Sequence, residues 1–281
     1  MTSFDICRLC CSEKTGLVTW EGEWCVLECA ACGFVFVVPL PDEEYLKAHY
    51  QQYLPADEEK ISQWRTLMVE ISDRSLEAIE KNNRQPLDGK LLDVGSGYGF
   101  FLEKARKRGW NVHGVEPCEH ARNYAIKNEL EVDLGVLLEQ RYPDSSFDVV
   151  TMFYVLEHVR EPLSYLKEAH RILKPGGLLL VRVPHTTPIV KFLKAFRIRN
   201  RLYDTPSHLS DFSPKTLSLA LRKSGFDGCV TFPGGATHPY PFGECAVSVM
   251  SGWFADVLYC ISLGKWLLPG VSKTTITKKE Q

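Results

Sequence analysis

The chain has 281 residues, 44% of them hydrophobic, with a net charge of -2 and a pI near 6.5. That length holds one sizeable α/β domain plus a small module, and the near-balanced charge argues against a broad nucleic-acid surface. No apolar segment follows a basic start, so no secretory signal is expected, and the ten cysteines point to metal ligation and free thiols rather than a disulfide framework. The expected compartment is the cytoplasm.

Residues 1–38 carry two C-x-x-C pairs, Cys7 with Cys10 and Cys29 with Cys32. Between them lies a stretch with Leu17, Val18, Trp20, Trp24, Val26 and Leu27 that reads as a hairpin. Four thiolates so spaced can close a tetrahedral zinc site, and a piece this small depends on the metal for its stability. Cys11 competes with Cys10, but only Cys10 has the knuckle spacing from Cys7, and Cys25 is one residue out of register with Cys29. The segment reads as a zinc ribbon. Four thiolates leave no open position for catalysis, so the zinc is structural or partner-facing.

Residues 39–87 read as a helical connector. Pro39 and Pro41 break the chain, Asp42 to Glu44 suit a first helical turn, and Tyr45, Leu46, His49, Tyr50 and Tyr53 share a face. A second helix is predicted from about Glu58 to Asn83, with Ile61, Trp64, Leu67, Met68 and Ile71 as its apolar stripe. Asn82 to Gly89 is the expected hinge into the main domain.

The main domain, residues 88–252, begins with LLDVGSGYG, Leu91 to Gly99. Leu91, Leu92 and Val94 read as the end of a buried strand, the three glycines as a tight turn, and FFLEKARKRGW as a helix that stops at Gly109. Strand, glycine turn and helix form a nucleotide-binding edge of an α/β sheet. A dinucleotide site wants a third glycine inside the helix, whereas here Gly95, Gly97 and Gly99 alternate and Phe100 stands in that place. NVHGVE ends on Glu116; FDVVTMFYVLEHV and RILKPGGLLLVRVP follow.

These four pieces, over residues 88 to 230, resemble the class I S-adenosylmethionine-dependent methyltransferases. The resemblance implies a Rossmann-like, doubly wound α/β fold, its sheet mostly parallel with one antiparallel strand. It implies S-adenosylmethionine as cofactor beside the structural zinc. Asp93 is placed for the ammonium side of the methionine moiety, and the backbone N–H groups of Gly95, Ser96, Gly97 and Gly99 can approach the cofactor closely. Glu116 can accept both ribose hydroxyls and would repel a 2′-phosphate, and Pro117 turns the chain along ribose and adenine. In relatives the adenine lies against the equivalents of Leu138 and Glu139. The fourth strand, Phe147 to Met152, brings Met152, Phe153 and Tyr154 to the crevice. LEHV places Glu157 and His158 at a helix start; in similar proteins this histidine lies near the cofactor, and an imidazole can accept a proton. Tyr50 or Tyr53 would fold over the cofactor, as the equivalent segment does in many similar enzymes.

An insertion, His185 to Phe212, departs from the bare core. Its DTPSHLSDFSPKTL resembles a pattern of zinc-ribbon methyltransferases associated with sugar and cell-surface glycan modification. Ser213 is the expected N-cap of the next helix and Pro214 its first residue. His185, Tyr203, Asp204 and His208 are the acceptor-side candidates, with His208 the preferred base for a hydroxyl acceptor. Lys191, Lys194, Arg197, Arg199 and Arg201 could hold a phosphate or diphosphate. Residues 228–252 read as a closing pair of strands around a Gly/Pro-rich loop. Residues 253–281 read as a C-terminal helix, with Phe254, Val257, Leu258 and Ile261 on one face, and a polar tail from Thr274. Asp256, Lys265 and Pro269 make it a poor membrane span, while peripheral membrane contact through 253–271 would fit a lipid-linked acceptor.

The function expected is methyl transfer to a small polar acceptor, foremost a sugar hydroxyl of a nucleotide-linked or glycan substrate. RNA or protein methylation with the ribbon as recognition module is the alternative. An inactive cofactor-binding scaffold is a third, and a nicotinamide dehydrogenase is disfavoured by the glycine spacing and LKPGG.

Overall fold

The structure is a computed structural model and describes residues 6–82, 88–234, 242–268 and 271–280. The hairpin between the cysteine pairs is present: β1 (Thr15–Glu21) pairs antiparallel with β2 (Trp24–Cys29), and β3 (Val35–Val38) adds a third strand. Helix α1 (Glu43–Tyr53) starts at Asp42, whose carboxylate accepts from the Tyr45 N–H at 2.7 Å. Helix α2 (Glu58–Asn82) buries Ile61, Ile71, Leu76 and Ile79 along one stripe. Most of the expected hinge, residues 83–87, lies outside the described residues.

The main sheet is built from β4 (Lys90–Val94), β5 (Asn111–Glu116), β6 (Val132–Leu134), β7 (Phe147–Phe153) and β8 (Leu173–Val183). Its crossovers are α3 (Phe100–Lys107), α4 (Glu119–Lys127) and α5 (Pro162–Ile172). Beyond β8 come α6 (Thr187–Ala195), β9 (Ser210–Asp211), α7 (Pro214–Lys223), β10 (Cys229–Pro233), α8 (Phe242–Ile261) and β11 (Lys273–Lys278). The strand order is β10-β11-β8-β7-β4-β5-β6, with β11 antiparallel to both neighbours and the rest parallel. This is a doubly wound Rossmann-like sheet with one antiparallel strand, the architecture the sequence implies. Every residue of β7 is buried, as a central strand covered on both faces requires. Ser213 caps α7 and Pro214 opens it, as the sequence indicates.

Two parts of the C-terminal reading are corrected. β10 has no partner strand within the described residues of 228–252, because 242–252 belong to α8, and the expected Gly/Pro-rich loop at 235–241 lies outside the described residues. Its partner is β11, cut from the segment read as a polar tail. Thr274, Thr275 and Thr277 are β-branched and suit a pleated surface, and their hydroxyls are satisfied inside the sheet. Thr275 Oγ1 meets Thr231 Oγ1 at 2.9 Å, and Thr277 donates to the Gly228 carbonyl at 2.6 Å. On α8 the docked positions are the small Gly252 and Ala255, together with Asp256 pairing Arg74 at 2.6 Å. Phe254 and Ile261, expected to dock, are exposed.

The N-terminal sheet is not a pendant module. β9, from the insertion, pairs with β3 and completes a four-stranded sheet β1-β2-β3-β9. Phe34 and Phe36 are fully buried in the same core as Met152, Leu166 and Val181, and Phe34 packs on Phe212 with ring centroids 5.1 Å apart. α6 is fastened to the same sheet by Lys191 on Glu28 at 2.7 Å and by Lys194 on the Val18 carbonyl at 2.6 Å.

Candidate functional site

A cavity of about 710 Å³ opens at the carboxyl ends of β4, β5 and β7, the crevice in which open α/β sheets hold ligands. Its first end is the turn after β4. Gly95, Gly97 and Gly99 all have positive φ, and Cβ atoms at Gly95 and Gly99 would meet Val155 and Leu130 at 2.8 and 2.4 Å. Glu116 is buried at the end of β5, where its carboxylate accepts from the Gly97 N–H at 2.7 Å and the Cys118 N–H at 2.8 Å. Burial still pushes its carboxyl up to about 7, against the pull of those two donors. Asp93 accepts from Thr151 Oγ1 at 2.6 Å, and burial raises it to about 8, helped by the neighbouring Glu116 charge. Tyr50 and Tyr53 cover this cavity from α1, and Tyr50 donates to the His158 carbonyl at 2.8 Å. Gln51 Nε2 holds the Pro117 carbonyl at 2.5 Å. The sites fit a small ligand with a polar diol end and a cationic end, which matches S-adenosylmethionine in its donor and acceptor chemistry.

The second end is formed by the turn after β7 and by the insertion. The segment LEHV is a turn rather than the helix start expected, because α5 begins only at Pro162. Glu157 is fully buried, and among the described residues no other group hydrogen-bonds either of its oxygens or His158 Nε2. Desolvation raises the Glu157 carboxyl to about 8 and lowers His158 to about 3 and His208 to about 4, so both imidazoles stay neutral near pH 7. The two rings lie edge to face with centroids 4.8 Å apart, and Tyr53 packs on the other side of His158 at 4.9 Å. His185, Arg201 and Asp204 also line this end.

The four ribbon cysteines come together. The Sγ atoms of Cys7, Cys10, Cys29 and Cys32 all lie within 4.8 Å of one another, with 3.6 Å from Cys7 to Cys32 and 3.5 Å from Cys10 to Cys29. Zn–S bonds of about 2.3 Å in a tetrahedron set the sulfurs about 3.8 Å apart, so the donor set fits zinc. Arg8, inside the first knuckle, donates to the Arg160 carbonyl and to the Leu209 carbonyl, both at 2.8 Å. The knuckle therefore grips the two segments that carry His158 and His208.

Several expected positions sit elsewhere. Met152 is fully buried in the core on one face of β7, because alternate strand residues point oppositely, and Phe153 lines the cavity instead. Leu138 and Glu139 are exposed, and Glu139 is turned back to the Val136 N–H at 3.3 Å; Gly135, Val136 and Leu137 form the cavity edge in their place. Tyr203 is buried against the ribbon sheet, with its hydroxyl 3.0 Å from Thr187 Oγ1. Of the basic residues, Lys191 and Lys194 are taken up by the ribbon, and Arg201 reaches the cavity. Glu157 and Arg8 join the site without a motif of their own; the acid in LEHV and the arginine inside a knuckle are the signals the sequence offers for them.

A family model described as a methyltransferase domain matches residues 58–230. The chain is 29% identical over 149 residues to a ubiquinone biosynthesis O-methyltransferase of Pseudomonas aeruginosa, covering 49% of this chain and 64% of that protein. It is 33% identical over 158 residues to the enzyme of the same name from Pseudomonas paraeruginosa, covering 52% and 68%. The chain thus spans just under two thirds of the first of these relatives. Among solved structures, an S-adenosylmethionine-dependent methyltransferase from Thermotoga maritima superposes with a TM-score of 0.54 at 20% identity, covering 84% of this chain and all of that one. That likeness carries the fold alone.

Proposed function

We propose, from the premise that the chain belongs to the methyltransferase-domain family, that it transfers a methyl group from S-adenosylmethionine to a hydroxyl of a small polar acceptor, a sugar in a nucleotide-linked or glycan setting. The single observation that carries the reading is one cavity with a preorganised carboxylate and glycine end facing a second end of buried, open polar atoms. The relatives' name, O-methyltransferase, supports an oxygen acceptor. The sugar rests on the DTPSHLSDFSPKTL pattern of the insertion.

When bound, the cofactor supplies an electrophilic methyl on a sulfonium. Glu116 would hold the ribose diol and Asp93 the ammonium side, each in its carboxylate form. Tyr50 and Tyr53 exclude water, and Phe153 sides the cavity between the two ends. His158 and His208 present neutral nitrogens to the acceptor hydroxyl and orient it; positioning of reacting groups can lower a barrier by about 7 to 11 kcal/mol. Cys7, Cys10, Cys29 and Cys32 would hold a zinc ion, which would fix the knuckle from which Arg8 reaches the acceptor end. The ribbon as an RNA or protein reader is less favoured, because its third strand is covered by β9 and Lys191 and Lys194 are engaged within the chain. The cytoplasm remains the proposed compartment.

A second reading, a lipid-linked acceptor met at a membrane surface, is supported by the exposed Met250, Trp253 and Ile261 along α8 and Trp266 just after it. No helix of the described residues is long and apolar enough to cross a membrane. Co-sedimentation with anionic vesicles separates the two readings.

The test is a screen of sugar nucleotides for methyl acceptance with the wild type and His208→Ala. Turnover lost in the variant with S-adenosylhomocysteine binding kept supports the proposal. Full activity of the variant removes His208 from the acceptor end.

A further inference from the structure

Glu157, His158 and His208 each offer one ligand atom, and the three atoms lie within 4.8 Å of one another at the acceptor end of the cavity. Glu157 and His158 are more than nine-tenths buried, and among the described residues no other group hydrogen-bonds either Glu157 oxygen or His158 Nε2. A buried carboxylate left without a partner is costly, so a group that fills this gap gains strongly. The imidazoles are set up as ligands. His158 Nδ1 faces the Ser207 carbonyl at 2.8 Å and must donate to it, which leaves the lone pair on Nε2. The His208 ring lies edge to face beside that of His158, with the two ring centroids 4.8 Å apart. A second ring nitrogen tied to a carbonyl is the arrangement that orients metal-binding histidines. The Glu157 carbonyl accepts from the Leu209 N–H at 2.6 Å and the Ser210 N–H at 3.1 Å, so the two segments carrying the ligands are laced together before anything binds.

From this geometry we infer that Glu157, His158 and His208 bind a divalent first-row cation, separate from the ribbon zinc. Two imidazoles and one carboxylate suit zinc, iron(II) or cobalt(II), and three protein ligands leave positions open to an oxygen of the acceptor. The inference deepens the proposed function and rests on it for the identity of that oxygen; the cation site itself rests on the three side chains. A cation here takes the acceptor as a hydroxyl, or two neighbouring hydroxyls, and places it opposite the methyl-donor end.

The experiment is titration of the full-length protein, stripped of metal under reducing conditions, with cobalt(II) alone. The expected result is two equivalents per chain. One has the intense near-ultraviolet thiolate charge-transfer absorption of the ribbon, and the other shows weak visible bands without it. His208→Ala and Glu157→Gln should each weaken the second equivalent at least tenfold and leave the thiolate spectrum unchanged, with S-adenosylhomocysteine binding as the check that each variant is folded. A single thiolate-bound equivalent, or a second one that neither substitution alters, overturns the inference. Loss of the sugar-hydroxyl reading would leave the second equivalent in place, whereas loss of this inference would leave methyl transfer independent of added metal.

Discussion

The two ends of the cavity differ in how their polar atoms are spent. At the cofactor end Glu116 takes two backbone N–H groups and Asp93 takes a threonine hydroxyl, on strands in the middle of the sheet. At the acceptor end the oxygens of Glu157 and the open nitrogens of His158 and His185 have no partner among the described residues, and they sit on a turn and an insertion. A site whose ligand is fixed can be preorganised by the sheet itself. Substrate-binding groups are commonly carried on loops, and here the N-terminal sheet and its cysteine knuckle hold those loops in place through β9 and Arg8.

The largest effect expected on this contrast comes from the ribbon. Chelation of its metal, or Cys29→Ser, should cost several kcal/mol of stability, since small metal domains take their folding free energy from the ion. Affinity for S-adenosylhomocysteine should change less than about tenfold, a difference of about 1.4 kcal/mol, because Asp93 and Glu116 lie on the sheet. Calorimetry and melting on the same samples check both halves. Equal loss at the two ends would break the contrast.

Gly99→Ala strikes the other end. Its φ of +79° and a Cβ placed 2.4 Å from Leu130 predict a loss of about 3 kcal/mol in denaturant unfolding together with weakened cofactor binding. Arg8→Ala should be milder, about 2 kcal/mol, because it strips a charged donor from two carbonyls. Its turnover should fall while cofactor affinity holds, and an unchanged turnover would remove Arg8 as the link between knuckle and acceptor end.

Acidity probes the cofactor end most gently. Asp93 and Glu116 are raised in the folded chain to about 8 and about 7, so between their unfolded values near 4 and these the native state holds protons that the unfolded chain has released. Stability of the ligand-free protein therefore declines as pH rises through that window, by up to about 1.4 kcal/mol per pH unit for each group. Cofactor affinity runs the opposite way, weakening as pH falls below about 8 and then about 7, where Asp93 and Glu116 in turn take up protons. Opposed slopes in melting and titration series sharpen the assignment, and parallel slopes would contradict it.

The strand, glycine turn and helix around Leu91 to Gly99 were legible because period, glycine chirality and capping are local signals. The same holds for Asp42 and Ser213 as caps. What could not be read depends on distant pairing. β11 has too few apolar residues to announce a strand, and only β8 and β10 on either side make its threonines fit. β9 is two residues long, and its tie to β3 spans most of the chain. Met152 and Phe153 were separated by strand parity, and Leu138 and Glu139 fell outside because a short 3-10 turn points them to solvent. Glu157 went unassigned because burial without a partner cannot be read from a linear motif.

Glu116 is the residue on which cofactor binding should depend most directly. Titration of the zinc-loaded protein with S-adenosylhomocysteine, beside Glu116→Ala, should give micromolar binding that the variant weakens roughly tenfold to hundredfold while it stays folded. A folded wild type that does not bind, or a variant that binds equally well, would contradict the cofactor assignment and leave the chain a scaffold with this fold.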